Sequence, residues 1–543
     1  MDSLSETLWD VVICGTGALS RSDKKILHID PNPYYGGPEA ALSLGEADAW
    51  ANARPEALAI HFPPATDSGA VKLGRPSSYS IVLVPQFLHA RSTLVDLLVS
   101  SRAFRQLEFL AVSSFFVLQV SSSTSQTSIV RIPATREDVF ADTAMQVRAK
   151  RQLMKFLKFV LAYGEEEKEG HANGVENTSN ESIWKAHASE PLGTFLQSSF
   201  GLDDRLRDNV LALTLSLDGA SVSVAEGLAR LHRHITSMGL FGPGFAAVHP
   251  KWGGCGEIVQ VACRAAAVGG GTYMLGSGIS SMKTVVAEEG NDTVSRGELL
   301  ELSLMRDLTI RTKLLVRGSE EITQASSEAT ATLPPEDDSS ERISRLIAVV
   351  GAPLPFLFVP TVEGAPIAGG AVIALPAGRP VLAGDSFLAE HPVFAIAHSS
   401  DTGECPAGQS VIHLTTIHTN KSKVILESAL QTVLAALARH QSVSTDTDDP
   451  SKSPSIPCLY SLYYEQLRGG SEKTAFAEAS DKGKHDSLVF RFPPLPVDLI
   501  VQDAPLGAVQ DAWKRIVGTE ADEATYMVFE DREGDAADDA ENE

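Results

Sequence analysis

Short apolar runs alternate with glycine-containing turns at the start of the chain. Trp9 to Cys14 is predicted to form a buried strand that leads into Gly15-Thr16-Gly17, and Ile26 to Asp30 is a second apolar run that ends in a carboxylate. A strand, a glycine turn and a second strand ending in an acidic residue are typical of the opening of a dinucleotide-binding βαβ unit. The pattern therefore predicts an α/β domain.

The pattern changes to a helical spacing after Pro133. Apolar positions recur every three or four residues from Arg131 to Leu161, and three further helices are predicted at Leu192 to Phe200, Asp203 to Leu217 and Val224 to Met238. Because this block differs in character from the segments on both sides of it, we expect an α-helical domain that is inserted into the α/β domain.

Strand-like runs return after the helical block and dominate the rest of the chain. Polar, low-complexity segments interrupt them at several places. The predicted organisation is a first part of the α/β domain at 1–130, a helical domain at 131–243 with a polar insertion at 164–182, a second part of the α/β domain at 244–440 with a low-complexity insertion at 318–341, a linker at 441–457, a C-terminal part of the domain at 458–518, and a disordered acidic tail at 519–543.

The chain of 543 residues carries a formal charge of −24, which argues against strongly anionic binding partners. An acidic surface repels nucleic acid phosphates and anionic membranes, so neither is the default partner. Five widely spaced cysteines without a C-x-x-C pair are typical of a reducing compartment, not of a disulfide framework or a zinc site. No apolar run approaches the ~20 residues of a membrane span. We therefore expect a cytoplasmic protein that binds neither nucleic acid nor a metal.

The dinucleotide-type motif is incomplete. Its full fingerprint has a third glycine where this chain has Ser20, and only Ala18 to Lys25 separate the glycine turn from the second strand. A parallel βαβ connection needs about a dozen residues or more. Two explanations stay open: the crossover helix is nearly absent, or residues are missing from the sequence. In both cases Gly15, Gly17 and Asp30 are expected to form a vestigial dinucleotide-type loop, with the fold retained and no cofactor bound.

Several blocks of the sequence resemble, in order, the Rab GDP-dissociation-inhibitor superfamily. Such an ordered set covers most of the chain outside the insertions and is more specific than any one glycine motif. Members share a flavoprotein-like α/β domain of the FAD/NAD(P)-binding type, which carries no flavin, and a smaller helical domain. The longer chain and the run from Lys251 to Gly254 favour the escort branch over the recycling branch. The matching blocks are 11–17, 25–37, 84–88, 155–159, 241–245, 253–257, 270–273 and 491–494, followed by the helix around Trp513.

The resemblance implies a non-catalytic carrier, the component A of a Rab geranylgeranyltransferase complex. Such an escort protein binds GDP-bound Rab GTPases and presents them to the transferase α/β heterodimer for prenylation of their C-terminal cysteines. It then delivers the prenylated Rab to membranes in vesicle transport, so transient membrane contact is expected. The sequence contains no G-x-S-x-G, H-E-x-x-H or P-loop pattern, which agrees with a binding role.

Two other functions stay open. A Rab GDP dissociation inhibitor would recycle prenylated Rabs without supporting their prenylation. A flavin-dependent oxidoreductase of the same fold would use Gly15, Gly17 and Asp30 to hold its cofactor.

By resemblance, the Rab-binding platform consists of Tyr35, Glu257, Arg264 and Tyr273. Glu257 and Arg264 are seven residues apart on one predicted helix, or two turns, so both side chains can project from one face. Tyrosine and arginine often anchor protein interfaces. The alternative is that Glu257 and Arg264 are ordinary charges on a solvated helix face and that the two tyrosines are packed loop residues.

The helical block is expected, again by resemblance, to hold the prenyl chain and to contact the transferase. A C20 chain at ~0.8 kcal/mol per buried carbon needs an apolar cavity, most simply between helices. The alternative for each candidate is plain helix-bundle core. The candidate lipid-pocket residues are Leu153, Phe156, Leu157, Leu211, Leu213 and Leu217.

Overall fold

A computed structural model of the chain defines the fold. It describes residues 2–15, 24–63, 71–120, 127–133, 136–141, 143, 145–172, 183–286, 298–305, 308–318, 342–360, 363–378, 388–443, 455–469, 488–492 and 495–528.

Helices are concentrated in one stretch in the middle of the chain. Side-chain caps define several of their starts, since Asp203 accepts a hydrogen bond from the N–H of Leu206 at 2.9 Å and Ser223 accepts one from the N–H of Glu226 at 3.2 Å. The helices are α1 (Asp2–Glu6), α2 (Leu44–Asn52), α3 (Thr93–Ser100), α4 (Arg136–Ala141), α5 (Val147–Ala172), α6 (Ile183–Ala186), α7 (Leu192–Phe200), α8 (Asp204–Thr214), α9 (Val224–Ser237), α10 (Cys255–Val268), α11 (Ser422–Val443) and α12 (Ala504–Val517).

Strands make up most of the remaining regular structure. They are β1 (Leu8–Cys14), β2 (Ile26–Asp30), β3 (Ala41–Leu42), β4 (Leu58–His61), β5 (Ile81–Val82), β6 (Leu88–His89), β7 (Phe109–Val120), β8 (Thr127–Arg131), β9 (Ala247–Pro250), β10 (Thr272–Leu275), β11 (Ile279–Val286), β12 (Glu298–Leu304), β13 (Thr309–Arg317), β14 (Arg342–Val350), β15 (Gly370–Leu375), β16 (Val393–Ser399), β17 (Ser410–Ile417), β18 (Cys458–Leu467) and β19 (Val489–Arg491).

The first sheet has the order β10-β2-β1-β13-β12-β11, and β19 also pairs with β13. Strands β10, β2, β1 and β13 run parallel, whereas β12 and β11 continue antiparallel. The parallel pairing of β1 with β2 is the arrangement that the glycine motif predicts. Val12 and Leu27 are fully buried in it. The connection, including Gly17 and Ser20, falls at residues 16–23, outside the described residues.

The second sheet is larger and mixed, with the order β4-β18-β14-β17-β16-β15-β7-β9-β6 and β8 paired to β7. Its central strands β14 and β17 are buried except at Arg342, the first residue of β14, because α11 covers one face and other segments cover the opposite face. On β14, Leu346 and Ala348 pack in the same core cluster as α11, while Ile347 and Val349 pack in the cluster on the other side. The alternation follows the two-residue period of a strand.

Helices α5 to α9 pack around an apolar core of their own, which includes Phe156, Phe195, Leu206 and Leu228. Leu217, just after α8, belongs instead to the core beneath the second sheet. The predicted domain boundaries stay a prediction, although the described residues between β8 and β9 contain helices and no strands.

A C-terminal segment joins this helical block to the second sheet. Phe87 N–H donates to the carbonyl of Leu499 and Val501 N–H donates to that of Phe87, each at 3.0 Å. Leu499 is fully buried. The segment therefore lies in the core between the two layers, not on the surface.

Asp498, on this segment, holds two arginines from distant parts of the chain. Its carboxylate lies 3.1 Å from Arg230 Nη2 on α9 and 3.2 Å from Arg468 Nε after β18. Arg468 also forms a two-pronged pair with Asp218 at 2.7 and 2.9 Å. Only 1% of the Asp498 side chain is exposed. This buried ionic network therefore ties the helical block to the sheet.

The last described residues return to the body of the protein. Residues 519–528, which the sequence assigns to an acidic tail, form two short 3-10 turns. The Tyr526 ring lies 5.1 Å from that of Trp513 on α12. Residues 529–543 lie outside the described residues.

Among the described ranges, no helix combines the length and the apolar character that crossing a bilayer requires.

Candidate functional site

The loop after β2 presents Tyr35. Asp30, the last residue of β2, accepts hydrogen bonds from the backbone N–H and the side-chain amide of Asn32 at 2.8 and 3.0 Å. Gly36 and Gly37 then adopt φ values of 97° and 50°, which favour glycine. The resulting turn leaves 40% of Tyr35 exposed.

Helix α10 packs directly on this loop. A Cβ atom added to Gly256 would lie 2.8 Å from the carbonyl oxygen of Glu39, and one added to Gly253 would lie 3.1 Å from the Cβ of Ala41. The first of these distances is shorter than real Cβ contacts allow, so a side chain at 256 has to push the loop away. The contact also raises the pKa of Glu39 to about 7 through burial.

Glu257 and Arg264 both lie on α10. Glu257 is half-buried and Arg264 is exposed. Burial raises the pKa of Glu257, and the nearby positive charge of Arg264 counteracts part of that rise. The Glu257 carboxylate also accepts a weak hydrogen bond from Gln260 Nε2 at 3.4 Å. Glu257 and Arg264 therefore lie in one region of the helix surface and are close enough to interact electrostatically.

Tyr273 lies on β10 beside β2 and contacts Tyr35. The two tyrosine rings meet edge to face at 6.0 Å, and Tyr273 stacks on His28 of β2 at 4.3 Å. Burial raises the pKa of the Tyr273 hydroxyl, with a further rise from Cys263 of α10. Because Cys263 precedes Arg264, the loop, the strand and the helix that carry the four predicted residues pack against one another. We call Tyr35, Glu257, Arg264 and Tyr273 the platform patch.

His28 and Cys263 support the patch and were not predicted. His28 is 1% exposed, burial lowers its pKa to about 4, and its Nδ1 lies 3.3 Å from the carbonyl of Gly15. A histidine inside an otherwise apolar strand was the available signal, because a buried polar ring needs a partner. The stack explains its position, since the ring gives Tyr273 a flat surface to lie on.

A buried group of three histidines and a glutamate lies behind the start of α10. Glu404 accepts hydrogen bonds from His249 and His398 at 2.9 Å each and from His413 at 3.3 Å. Burial alone would raise the pKa of Glu404, but the neighbouring His398 and the three hydrogen bonds hold it well below its usual range. His249, His398 and Glu404 offer ligand atoms within 4.8 Å of one another, a set that could hold a metal ion. Their mutual hydrogen bonds already account for the arrangement.

Trp252 links this buried group to α10. Its backbone has a φ of 75°, unusual for a residue with a side chain, and its N–H donates to the carbonyl of Thr402 at 2.7 Å. A Cβ atom on Gly403 would lie 2.2 Å from the Trp252 ring, so the indole covers that glycine. The turn before Glu404 thus fixes the start of the helix that carries Glu257.

The vestigial dinucleotide-type loop is only partly described. Gly15 has a φ of 94° and donates its N–H to the carbonyl of Ile29 at 2.8 Å, while Gly17 lies outside the described residues. Asp30 is 3% exposed, burial raises its pKa, and its Oδ1 atom accepts the two hydrogen bonds from Asn32. The carboxylate therefore stabilises the loop that presents Tyr35, a poor fit to a ribose ligand.

The candidate lipid-pocket residues do not form a single group. Leu153, Phe156 and Leu211 pack in the helical core, and Leu217 packs beneath the second sheet. Leu213 contacts both clusters. Leu157 is half-buried on α5. Their role as a prenyl site stays a prediction.

Residues 4–299 match the family model described as GDP dissociation inhibitor. The chain is 28% identical to the Rab proteins geranylgeranyltransferase component A of Saccharomyces cerevisiae, over 81% of this chain and 67% of that protein. It is 26% identical to Rab escort protein 1 of Arabidopsis thaliana, over 86% of this chain and 87% of that protein.

Among solved structures, the Rab GDI of Plasmodium falciparum resembles the chain with a TM-score of 0.59 at 16% identity, covering 95% of this chain and 99% of that one. The predicted flavoprotein-like α/β fold class is confirmed. An oxidoreductase at 13% identity also resembles the chain, which shows the shared fold alone.

Proposed function

Because this chain belongs to the GDP dissociation inhibitor family, we propose that it binds GDP-loaded Rab GTPases and presents them to a Rab geranylgeranyltransferase α/β heterodimer. It acts as the non-catalytic component A of that complex and delivers the prenylated Rab to membranes in vesicle transport. The platform patch is the Rab-binding surface, and the helical block carries the prenyl chain. The names of the fungal and plant relatives support the escort role.

The observation that carries the proposal is the assembly of the platform patch. The edge-to-face contact of Tyr35 with Tyr273 lies beside α10, which adds one anion and one cation. Rigid aromatic side chains with polar tips next to an arginine are typical of the residues that dominate the energy of protein interfaces.

A prenylation reconstitution tests the function. Purified chain is added to the transferase heterodimer, an unmodified GDP-bound Rab and geranylgeranyl diphosphate, and incorporation of the prenyl group is measured. We expect incorporation to require the chain. A chain that binds prenylated Rab but does not support incorporation would indicate a recycling inhibitor. A yellow preparation with flavin absorbance and no Rab binding would indicate the oxidoreductase.

Reversing the charge of Arg264 is expected to weaken binding of GDP-bound Rab by about tenfold or more, because an arginine at the centre of an interface often contributes above ~1 kcal/mol. The binding constant of Arg264→Glu is measured by titration with labelled Rab. Since Arg264 is exposed, the unfolding curve should not move. Arg75→Glu, an exposed arginine in another segment, serves as the control. An unchanged Rab affinity for Arg264→Glu would refute the platform assignment.

A further inference from the structure

Helix α5 concentrates positive charge on its outer face. Arg148, Arg151, Lys155 and Lys158 are all exposed. Their spacing of three, four and three residues places them along one side of a helix. We call these four residues the α5 cation stripe. In a chain with a formal charge of −24, such a stripe is a local reversal of the prevailing charge.

The α5 cation stripe is available to a partner. Among the described residues, none of its four cations forms an ion pair. The adjacent turn between α7 and α8 contains acids, but Asp204 pairs with Arg207 at 2.5 Å and Asp203 caps α8. Lys155 Nζ lies 5.7 Å from the centre of the Phe200 ring, and the Lys155 side chain is exposed.

Exposed apolar side chains flank the cations. Val147 at the start of α5 is 65% exposed and Leu161 is 46% exposed. Both lie next to Lys158 in the helical projection, since they precede and follow it by eleven and three residues. Phe140 of α4 is 55% exposed, and its carbonyl accepts a hydrogen bond from Lys150 at 2.8 Å. Cations beside exposed apolar residues on one helix are typical of surfaces that lie in a membrane interface.

The inner face of α5 has a different character. Phe156 and Val160 are fully buried in the helical core, and Leu153 packs against it. The same helix therefore turns cations outward and candidate lipid-pocket residues inward. A bilayer that meets the outer face would lie about one helix diameter, ~10 Å, from the inner one.

We propose that the α5 cation stripe docks the chain on an anionic lipid surface, with Phe140, Val147 and Leu161 reaching the acyl boundary. The proposal rests on the proposed function, which requires the carrier to meet a membrane. An acidic protein surface would match the four cations, whereas a membrane interface matches the exposed apolar residues as well. The net acidity of the rest of the chain then favours one orientation, because it repels the same surface.

Vesicle sedimentation of the full chain tests the proposal. We expect wild type to bind vesicles of phosphatidylcholine and phosphatidylserine but not phosphatidylcholine alone, with weaker binding at high salt. The double variant Arg151→Glu, Lys158→Glu should lose at least about tenfold in partitioning, since each cation near such a surface raises binding roughly fivefold. Lys72→Glu, Arg75→Glu makes the same change of net charge at exposed positions elsewhere and should bind as wild type does.

Three outcomes would overturn the inference. The first is equal binding of the stripe variant and wild type, and the second is equal binding of wild type to neutral and anionic vesicles. The third is a stripe variant that keeps vesicle binding but loses membrane-free prenylation, which would assign the stripe to an acidic protein. Wild type that supports prenylation but binds no vesicles overturns this inference alone. Wild type that binds vesicles but supports no prenylation overturns the proposed function alone.

Discussion

Replacing Asp498 with alanine is expected to lower the free energy of unfolding by about 3–5 kcal/mol, the usual cost of breaking a buried ionic network. Asp498 pairs with Arg230 and Arg468, and its negative charge also acts on Arg345. Arg345 is 1% exposed, and its hydrogen bonds go to neutral groups, including the carbonyl of Val497. Arg345 therefore forms no ion pair among the described residues and depends on the nearby charge of Asp498.

The charge balance explains the size of this effect. With Asp498, Asp218 and Glu226 present, the three arginines are neutralised as a group. Without Asp498, one positive charge remains buried and uncompensated, and the segment 495–501 loses its link to α9.

Chemical denaturation measures the difference, and two variants bracket it. Asp498→Asn keeps the shape and one acceptor oxygen but not the charge, so an intermediate loss is expected. Glu108→Ala removes an exposed pair with Lys251, in which the glutamate side chain is 67% exposed, and should cost less than about 1 kcal/mol. A loss below about 1 kcal/mol for Asp498→Ala would contradict the account of this network.

Lowering the pH from 6.5 to 5 is expected to lower the free energy of unfolding by about 3 kcal/mol. Burial lowers the pKa values of His28, His234 and His413 to about 4 from the ordinary 6.5. Between these values the unfolded chain binds more protons than the folded one, so stability rises with pH. Each histidine contributes about 1.4 kcal/mol per pH unit.

Buried carboxyl groups oppose this trend. The pKa of Glu39 is raised to about 7, so its contribution is fully present below pH 4.5 and is lost as the pH rises through 7. One carboxyl against three histidines leaves a net difference of at most two protons, or at most about 3 kcal/mol per pH unit, and less near pH 6.5, where the unfolded histidines are only half protonated. The pKa values of His89 and His249 are also lowered and those of Asp30 and Glu257 are also raised, so these two pairs act on the slope in opposite directions.

Denaturation curves at half-unit steps from pH 7 to pH 5 give the slope of the free energy of unfolding against pH directly. His234→Gln should reduce it by about one proton, because His234 is buried and its ring contacts only His89 and Phe115 among the aromatic residues described. A stability that stays constant from pH 6.5 to 5 would mean that these histidines do not remain neutral in the folded protein.

The bounds of helices and strands were predictable where apolar residues recur with a regular spacing. Leu192 to Phe200 and Ile26 to Asp30 occur with the bounds that the sequence predicts, because spacing and flanking residues determine such elements. The helical pattern predicted after Pro133 in the range Arg131 to Leu161 corresponds to two helices and not to one. Arg131 ends β8, α4 follows, and α5 begins only at Val147. The range therefore spans the end of a strand, which pairs with β7, and two separate helices.

A run of apolar residues predicts the burial of a segment better than it predicts the pairing of that segment with a neighbouring strand. Ile81 to Val84 form an apolar run in the sequence, and all four residues are fully buried. Only Ile81 and Val82 form β5, however, since their partner β3 has two residues. Leu83 and Val84 are buried but are not part of a described strand.

Local sequence patterns cannot predict contacts between residues that are far apart in the chain. Arg230 and Asp498 are separated by 268 positions, so no local spacing could pair them. The platform patch was reached only through resemblance to a family. Its supporting residues His28 and Cys263 became visible once β2, β10 and α10 lay side by side.

The first sheet draws on three remote parts of the chain: β1 and β2, then β10 to β13, and finally β19 with α12 packed on Val11 and Ile26. A ribosome that releases the N-terminal strands must therefore synthesise nearly the whole polypeptide before their apolar face can be covered. During that interval the nascent chain exposes surface that binds chaperones. Truncation after residue 488 would remove β19 and α12 and make that exposure permanent.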